Sequence, residues 1–388
     1  MLLSAALLVA AIVLTATAGS STPTSAETRQ DARGAPNHPS RNDIYVSGPR
    51  TLPQLMFACC NQAIMDVNTL FADSAVLANL KTLHAGLVVA LEDLSPARAQ
   101  LVRRFNQAGI PVIAWLTLPP EQGYFVNASN APQAAARFAQ FDNWTRENDL
   151  HWQAVGLDIE PNFGEFHWPK WRLAWTLLRR AFDGQRVWRS RRDYGALIHE
   201  MQAHRYRVQT YQLIFLADER KVHSTMLERL FGLVDVRGDE EVLMTYTSFN
   251  HKAGEAMVWS YGRETQTLAV GSTQGSGNVQ TDAKSKFRPL NWEEFSRAVI
   301  VASHFSRTVG VYDLEGCVQQ GFLPRLAAMD WNQGVTIPSA AVSRIRRFRF
   351  VVQTVLWTAS HALYFATIFL IAIAWFFRAR RRVRVSVP

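Results

Sequence analysis

Short apolar runs alternate with longer amphipathic runs eight times between Gln54 and about residue 330. The apolar runs are Leu55–Cys60, Gly86–Leu91, Ile110–Leu118, Ala154–Glu160, Arg207–Phe215, Glu241–Thr247, Thr267–Gly271 and Val309–Leu314. Each reads as a strand with both faces covered. The stretches between them read as helices, among them Leu70–Leu83, Pro96–Ala108, Ala131–Asn148 and Trp292–His304. Strands separated by helices return in parallel through right-handed crossovers. Eight such units in roughly 270 residues match a closed (β/α)8 TIM barrel. An open doubly wound sheet is the alternative. No glycine-rich phosphate loop follows the first strand, which counts against it.

The fourth strand carries the chemistry. Ala154-Val155-Gly156-Leu157-Asp158-Ile159-Glu160-Pro161 is an apolar run that ends in two carboxylates spaced i, i+2. Side chains alternate along a strand, so Asp158 and Glu160 share one face, and Leu157 and Ile159 take the other. Burying two acids side by side is costly and raises their pKa values, a pattern that acid/base chemistry uses. Barrel active sites lie at the C-terminal strand ends. There Glu92 and Asp93 end the second strand, Trp115 and Thr117 the third, and Tyr246 the sixth. Tyr211 lies on the fifth, and Asp313 and Glu315 end the eighth. Acids, tyrosines and tryptophans on one rim describe a carbohydrate site. Glu92 and Asp93 precede Leu94-Ser95-Pro96 and read as helix-capping acids. Asp218, Glu219 and Arg220 read as a solvated loop.

The Val155–Glu160 segment resembles the end of the D-x-x-D-x-D-x-E signature of glycoside hydrolase family eighteen, the chitinase-like barrels. Val242-Leu243-Met244-Thr245-Tyr246 resembles that family's M-x-Y element, and Leu268-Ala269-Val270-Gly271 is similar to its seventh strand. The resemblance implies Glu160 as general acid, Asp158 as the group that orients a substrate N-acetyl, and Tyr246 as its hydrogen-bond partner. Trp115, Tyr211, Asp313 and Glu315 are the expected substrate-binding residues. With two protein carboxylates instead, Glu315 or Asp313 would be the nucleophile. The chain departs from the signature at its earlier aspartates, the nearer of which is Gly156. The S-x-G-G element is replaced by Ala114-Trp115-Leu116-Thr117, and Thr247 follows Tyr246. A non-catalytic glycan-binding barrel, or a membrane scaffold, is therefore the second expectation.

The chain is 388 residues long with a net charge of +9, but nine arginines and no acid or lysine follow Asp330. The remainder is close to neutral, so no basic groove for nucleic acid is expected. Phe350–Phe377 holds no acid, lysine or arginine over 28 positions, the pattern of a transmembrane helix. Residues 378–388 form a basic cytoplasmic tail in this reading. Residues 1–18 read as a signal peptide or apolar segment ending in Ala16-Thr17-Ala18, and 19–50 as a flexible spacer. The expected arrangement is thus a barrel over 51–335 outside the cytoplasm, tethered by one C-terminal helix at 350–377. Its partners are a polysaccharide or glycan substrate and the membrane, with no nucleic acid. No cofactor motif or metal-ligand spacing is present. Cys317 could bridge to Cys59 or Cys60, or all three cysteines could be buried thiols. Asn127-Ala-Ser129 and Asn143-Trp-Thr145 are glycosylation sequons.

Overall fold

The computed structural model of the chain describes residues 42–49, 51–60, 67–274 and 288–385. The expected signal segment and residues 19–41 of the expected spacer lie outside the described residues, whereas residues 44–46 of that spacer form a strand with Val46 buried. Strands β2 (Gln54–Cys59), β3 (Gly86–Ala90), β4 (Val112–Leu116), β5 (Ala154–Ile159), β6 (Val208–Leu213), β7 (Glu240–Met244), β8 (Thr267–Gly271) and β9 (Thr308–Tyr312) close into one parallel barrel in sequence order. Strand β9 returns to β2, with Leu55 opposite Val309 and Ala58 opposite Tyr312. The eight expected strands are these eight, each within a few residues of its expected ends. Two further strands, β1 (Ile44–Val46) and β10 (Val335–Ile337), pair antiparallel as a separate ribbon.

The alternation within each strand sorts its side chains into two layers. On β5, Val155, Leu157 and Ile159 enter the large core between strands and helices. Ala154 faces the lumen with Met56, Val88, Ile113 and Trp115. The helices begin where their capping residues dictate. Ser95 accepts from the Arg98 N–H ahead of Pro96–Gln107. Asn291 and Glu294 form a reciprocal capping box at Trp292–Phe305, which satisfies two donors that the helix leaves open.

Two expectations are corrected by long-range pairing. Asp218, Glu219 and Arg220 are not a solvated loop but part of the helix Ile214–Lys221. Asp218 is fully buried, where it accepts hydrogen bonds from Arg349 Nε (2.8 Å) and Gln353 Nε2 (2.8 Å). Both partners come from the helix Ser339–Ser360. The Arg349 guanidinium also stacks 3.9 Å over the Tyr261 ring. Val352 and Leu356 of that helix are buried against Leu216, Met226 and Leu230.

The charge-free run is therefore not one membrane span. It is divided at His361 between Ser339–Ser360, which packs on the barrel, and Ala362–Val385. From Ala362 to Phe377 the chain rises only about 24 Å at 1.5 Å per residue, against a hydrocarbon layer of ~30 Å. Among the described residues no helix is long and apolar enough to cross a membrane. The expected C-terminal transmembrane helix is overturned, and with it the assignment as a single-pass membrane protein with an outer barrel and a cytoplasmic tail.

The cysteines also pair differently. Cys59 and Cys60 form a disulfide with each other, and Cys317 is a buried free thiol. Asn127 of the first sequon is 2% exposed, and its amide donates to the Phe125 carbonyl at 3.3 Å, so that side chain is spoken for in the fold.

Candidate active site

Asp158 is the last lumen-facing position of β5, and Glu160 stands one residue beyond the strand. Two residues of strand place their Cα atoms about 7 Å apart on the same side. The segment before the helix Ala131–Glu147 holds this strand end. The Val126 N–H donates to the Asp158 carbonyl (3.1 Å), and the Glu160 N–H donates to the Val126 carbonyl (3.2 Å). That short parallel bridge brings Tyr124 and Phe125 beside the two acids.

Asp158 is 6% exposed and Glu160 8%, so both acids are buried. Neither forms an ion pair with a described residue, and Asp158 Oδ1 makes no hydrogen bond. A buried carboxylate without a cation is held in its neutral form. Burial pushes Glu160 up to about 7. Burial, and then the Glu160 charge, raise Asp158 well above the carboxylate range. The Trp115 indole N–H pulls weakly the other way, but falls short of full hydrogen-bond geometry.

Aromatic side chains form a collar around the pair. Tyr246 stacks on Tyr312, with centroids 5.2 Å apart. Trp115 meets Tyr312 and Tyr124 edge-on, each at 6.5 Å. Tyr124 donates its hydroxyl to Glu92 at 3.0 Å. Burial, and next the charge of Asp158, raise the Tyr246 hydroxyl far above its ordinary value, so it remains a hydrogen-bond donor at any working pH. Below the collar, a small cavity of about 30 Å³ in the lumen is lined by Tyr246, Tyr312, Tyr211 and Gln209, and reaches Thr267 and Thr308 at the N-terminal strand ends.

The expected residues divide into two groups. Asp158, Glu160, Tyr246 and Trp115 come together. Tyr211 lies in the lumen against Gly156, and its hydroxyl donates to Gln209 Oε1 at 2.8 Å, so it forms floor rather than rim. Asp313 and Glu315 turn into the layer behind the strands. Asp313 Oδ1 caps the helix Leu314–Gln319 by accepting from the Gly316 N–H. Glu315 is fully buried and accepts from the Cys60 N–H at 2.7 Å. Glu92 turns to Tyr124 instead of capping a helix. Asp93 accepts from the Ser95 N–H and pairs with Arg98 at 3.1 Å.

Sequence reading passed over Tyr312, Tyr124 and Phe125. Tyr312 had a signal, because Val309 and Val311 mark the outward phase of β9 and leave position 312 facing inward. Tyr124 and Phe125 had none, since a loop position gives no phase.

Among the described residues no group of three His, Cys, Asp or Glu side chains gathers to hold a metal ion. No protein-family profile matches the chain, and no curated protein matches it. Among solved structures, it is similar to the PgaB (BpsB) glycoside hydrolase domain from Bordetella bronchiseptica, at 10% identity and a TM-score of 0.44. The likeness covers 71% of this chain and 98% of that domain. A likeness this slight carries no conclusion about activity.

Proposed function

We propose that the barrel is a glycoside hydrolase that cleaves an N-acetylated glycan with Glu160 as its general acid. One observation carries this reading. Two acids lacking a cationic partner share the lumen side of β5 at its C-terminal end, beneath an aromatic collar. A structural acid pair in a barrel would be expected to hold a cation or a set of backbone donors. Burial instead raises both carboxyls, Glu160 to about 7, which suits Glu160 as a proton donor to a leaving glycosidic oxygen.

Glu160, at the outer edge, protonates the bridging oxygen. Asp158 lies one lumen position deeper and orients the substrate's N-acetyl group, whose carbonyl oxygen attacks the anomeric carbon. This substrate-assisted route dispenses with a second protein carboxylate. It agrees with Asp313 and Glu315 being engaged behind the strands. The Tyr246 hydroxyl donates to the same N-acetyl carbonyl. Trp115 and Tyr312 present ring faces and edges to the sugar.

A second reading, a glycan-binding barrel without turnover, draws support from Gly156. The Tyr211 ring occupies the space that an acidic side chain there would need. Hydrolysis of a panel of fluorogenic N-acetylglucosaminides and cell-wall fragments separates the two readings. Turnover by the wild type that Glu160→Gln abolishes supports catalysis. Equal signal from both proteins removes it.

A further inference from the structure

The chain that follows the candidate catalytic strand builds a surface with no partner in the fold. The helix Lys170–Ala181 begins ten residues after Glu160, and none of its side chains is fully buried. Trp171 is 74% exposed, Trp175 59% and Phe182 52%. With half-buried Leu178 they occupy positions i, i+4, i+7 and i+11, within about 60° of arc on a 3.6-residue helix. Leu177 and Ala181 on the other side pack toward Leu227 and Leu230. The outward stripe is thus not a core face turned the wrong way; this helix has an inner face of its own.

Cations border the stripe on both flanks. Lys170 and Arg172 stand about 100° to either side of Trp171, and Arg179 follows Arg172 about two turns along on the same side. Arg172 is held with its guanidinium 4.2 Å over the Trp168 ring. On the next helix, Gly184–Ala203, Trp188 (63% exposed) and Arg189 extend the same composition. Lys170, Arg172, Arg179 and Arg189 form no ion pair among the described residues. Arg180, by contrast, faces inward and clamps Glu165 through both guanidinium nitrogens, at 2.5 and 2.7 Å. That clamp fixes the helix to the turn Phe163–His167. The same turn continues the aromatic collar outward, from Phe125 to Phe163 at 5.9 Å and from Phe163 to Phe166 at 6.1 Å.

We propose that this face is a docking surface for a polyanionic glycan chain, gripped by stacking on Trp171 and Trp175 and by the flanking cations. The proposal rests on the glycoside hydrolase reading for its occupant. The two indoles are four residues apart, about 6 Å along the helix axis, close to the length of one pyranose unit. Flat apolar rings stack on sugar faces, and the cations on both flanks fit carboxylates or other anionic groups repeated along a polymer. The ring series from Phe125 through Phe163 to Phe166 runs outward from the collar along the turn to which Arg180 ties this helix.

Affinity electrophoresis of the full chain through gels containing polygalacturonate, and through gels containing its fully methyl-esterified form, tests this directly. The two probes share a backbone and differ in charge. Retardation by polygalacturonate alone is expected, weakening about ten-fold between low and moderate salt as screening sets in. Trp171→Ala with Trp175→Ala should remove it, and so should the combined Lys170→Gln, Arg172→Gln, Arg179→Gln and Arg189→Gln. An unchanged melting temperature in both variants shows that folding is intact. Equal retardation by both polymers, or retention in the variants, overturns the proposal. So does stronger binding to phosphatidylserine vesicles or to single-stranded DNA than to polygalacturonate. Glu160→Gln should bind as the wild type does, so a failed hydrolysis assay and a failed docking surface give different results.

Discussion

Gly156 and Tyr211 occupy one another's space in the lumen. A Cβ placed on Gly156 would stand 2.7 Å from Tyr211 Cε2, inside any normal contact. The ring is anchored at its far end by the hydroxyl bond to Gln209, so it cannot swing away without losing that bond. Gly156→Ala should therefore cost about 1–3 kcal/mol, the usual range for overpacking a core. Gly156→Ala combined with Tyr211→Leu should cost less than the two single changes added together. Urea midpoints of the four proteins measure the coupling. Additive losses would mean that the ring and the glycine are independent.

The acid pair predicts an inverted stability profile. Glu160 is raised to about 7 from its ordinary 4.5 and Asp158 is raised well above 3.8. Between pH 4.5 and 7 the folded chain therefore holds protons that the unfolded chain has released. Their contribution is full below the unfolded pKa values and is lost as pH climbs through 7. For Glu160 alone the loss is on the order of 3 kcal/mol. Glu219 and Asp313, raised by burial to about 7 and about 6, add to it in the same direction. Unfolding midpoints at pH 5 and pH 8 should fall for the wild type and fall less for Glu160→Gln, whose amide does not titrate. Glycosidic turnover that depends on protonated Glu160 should decline over the same rise. A pH-independent difference between the two proteins would show that Glu160 ionises normally.

The barrel was legible because its signal is local. A run such as Ala154–Ile159, apolar but for Asp158 and followed within two residues by Pro161, reads as a covered strand whatever surrounds it. The i, i+2 spacing of Asp158 and Glu160 then assigns both to one face. Signals that depend on distant partners were not legible. Asp218-Glu219-Arg220 has the composition of a solvated loop, and distant partners such as Arg349, 131 positions away, and Tyr261 satisfy it inside the fold. The apolar run after Phe350 looks continuous because sequence does not reveal that Val352 and Leu356 are claimed by the barrel shell. Asp313 and Glu315 have the right strand-end position, but strand alternation turns Asp313 away from the lumen, and the following helix carries Glu315 to the Cys60 N–H.

The cysteine arrangement has a direct chemical test. With Cys59 and Cys60 joined to each other and Cys317 free, the unreduced chain should expose one thiol per molecule to an alkylating reagent. It should do so only after unfolding, because Cys317 is fully buried. Peptide mapping should find the alkyl group on Cys317 and an intact bond between the adjacent pair. A peptide linking Cys317 to either of the others would contradict the pairing.

The last prediction concerns the helix Ser339–Ser360 as part of the barrel shell. Its Arg349 carries the one cation paired with Asp218 among the described residues, and both groups are buried. Removing one member of a buried pair leaves the other charge in a medium of low polarity, which costs about 3–5 kcal/mol. Arg349→Met should lie near the lower end, since Gln353 and Tyr261 still donate to Asp218. Replacing both members, Arg349→Met with Asp218→Leu, removes the stranded charge and should recover part of the loss. Thermal unfolding of the full chain reads both effects. If Arg349→Met left the barrel's melting temperature untouched, the helix would be a loosely attached appendage, and the separation of its apolar residues from the segment after His361 would lose its energetic basis.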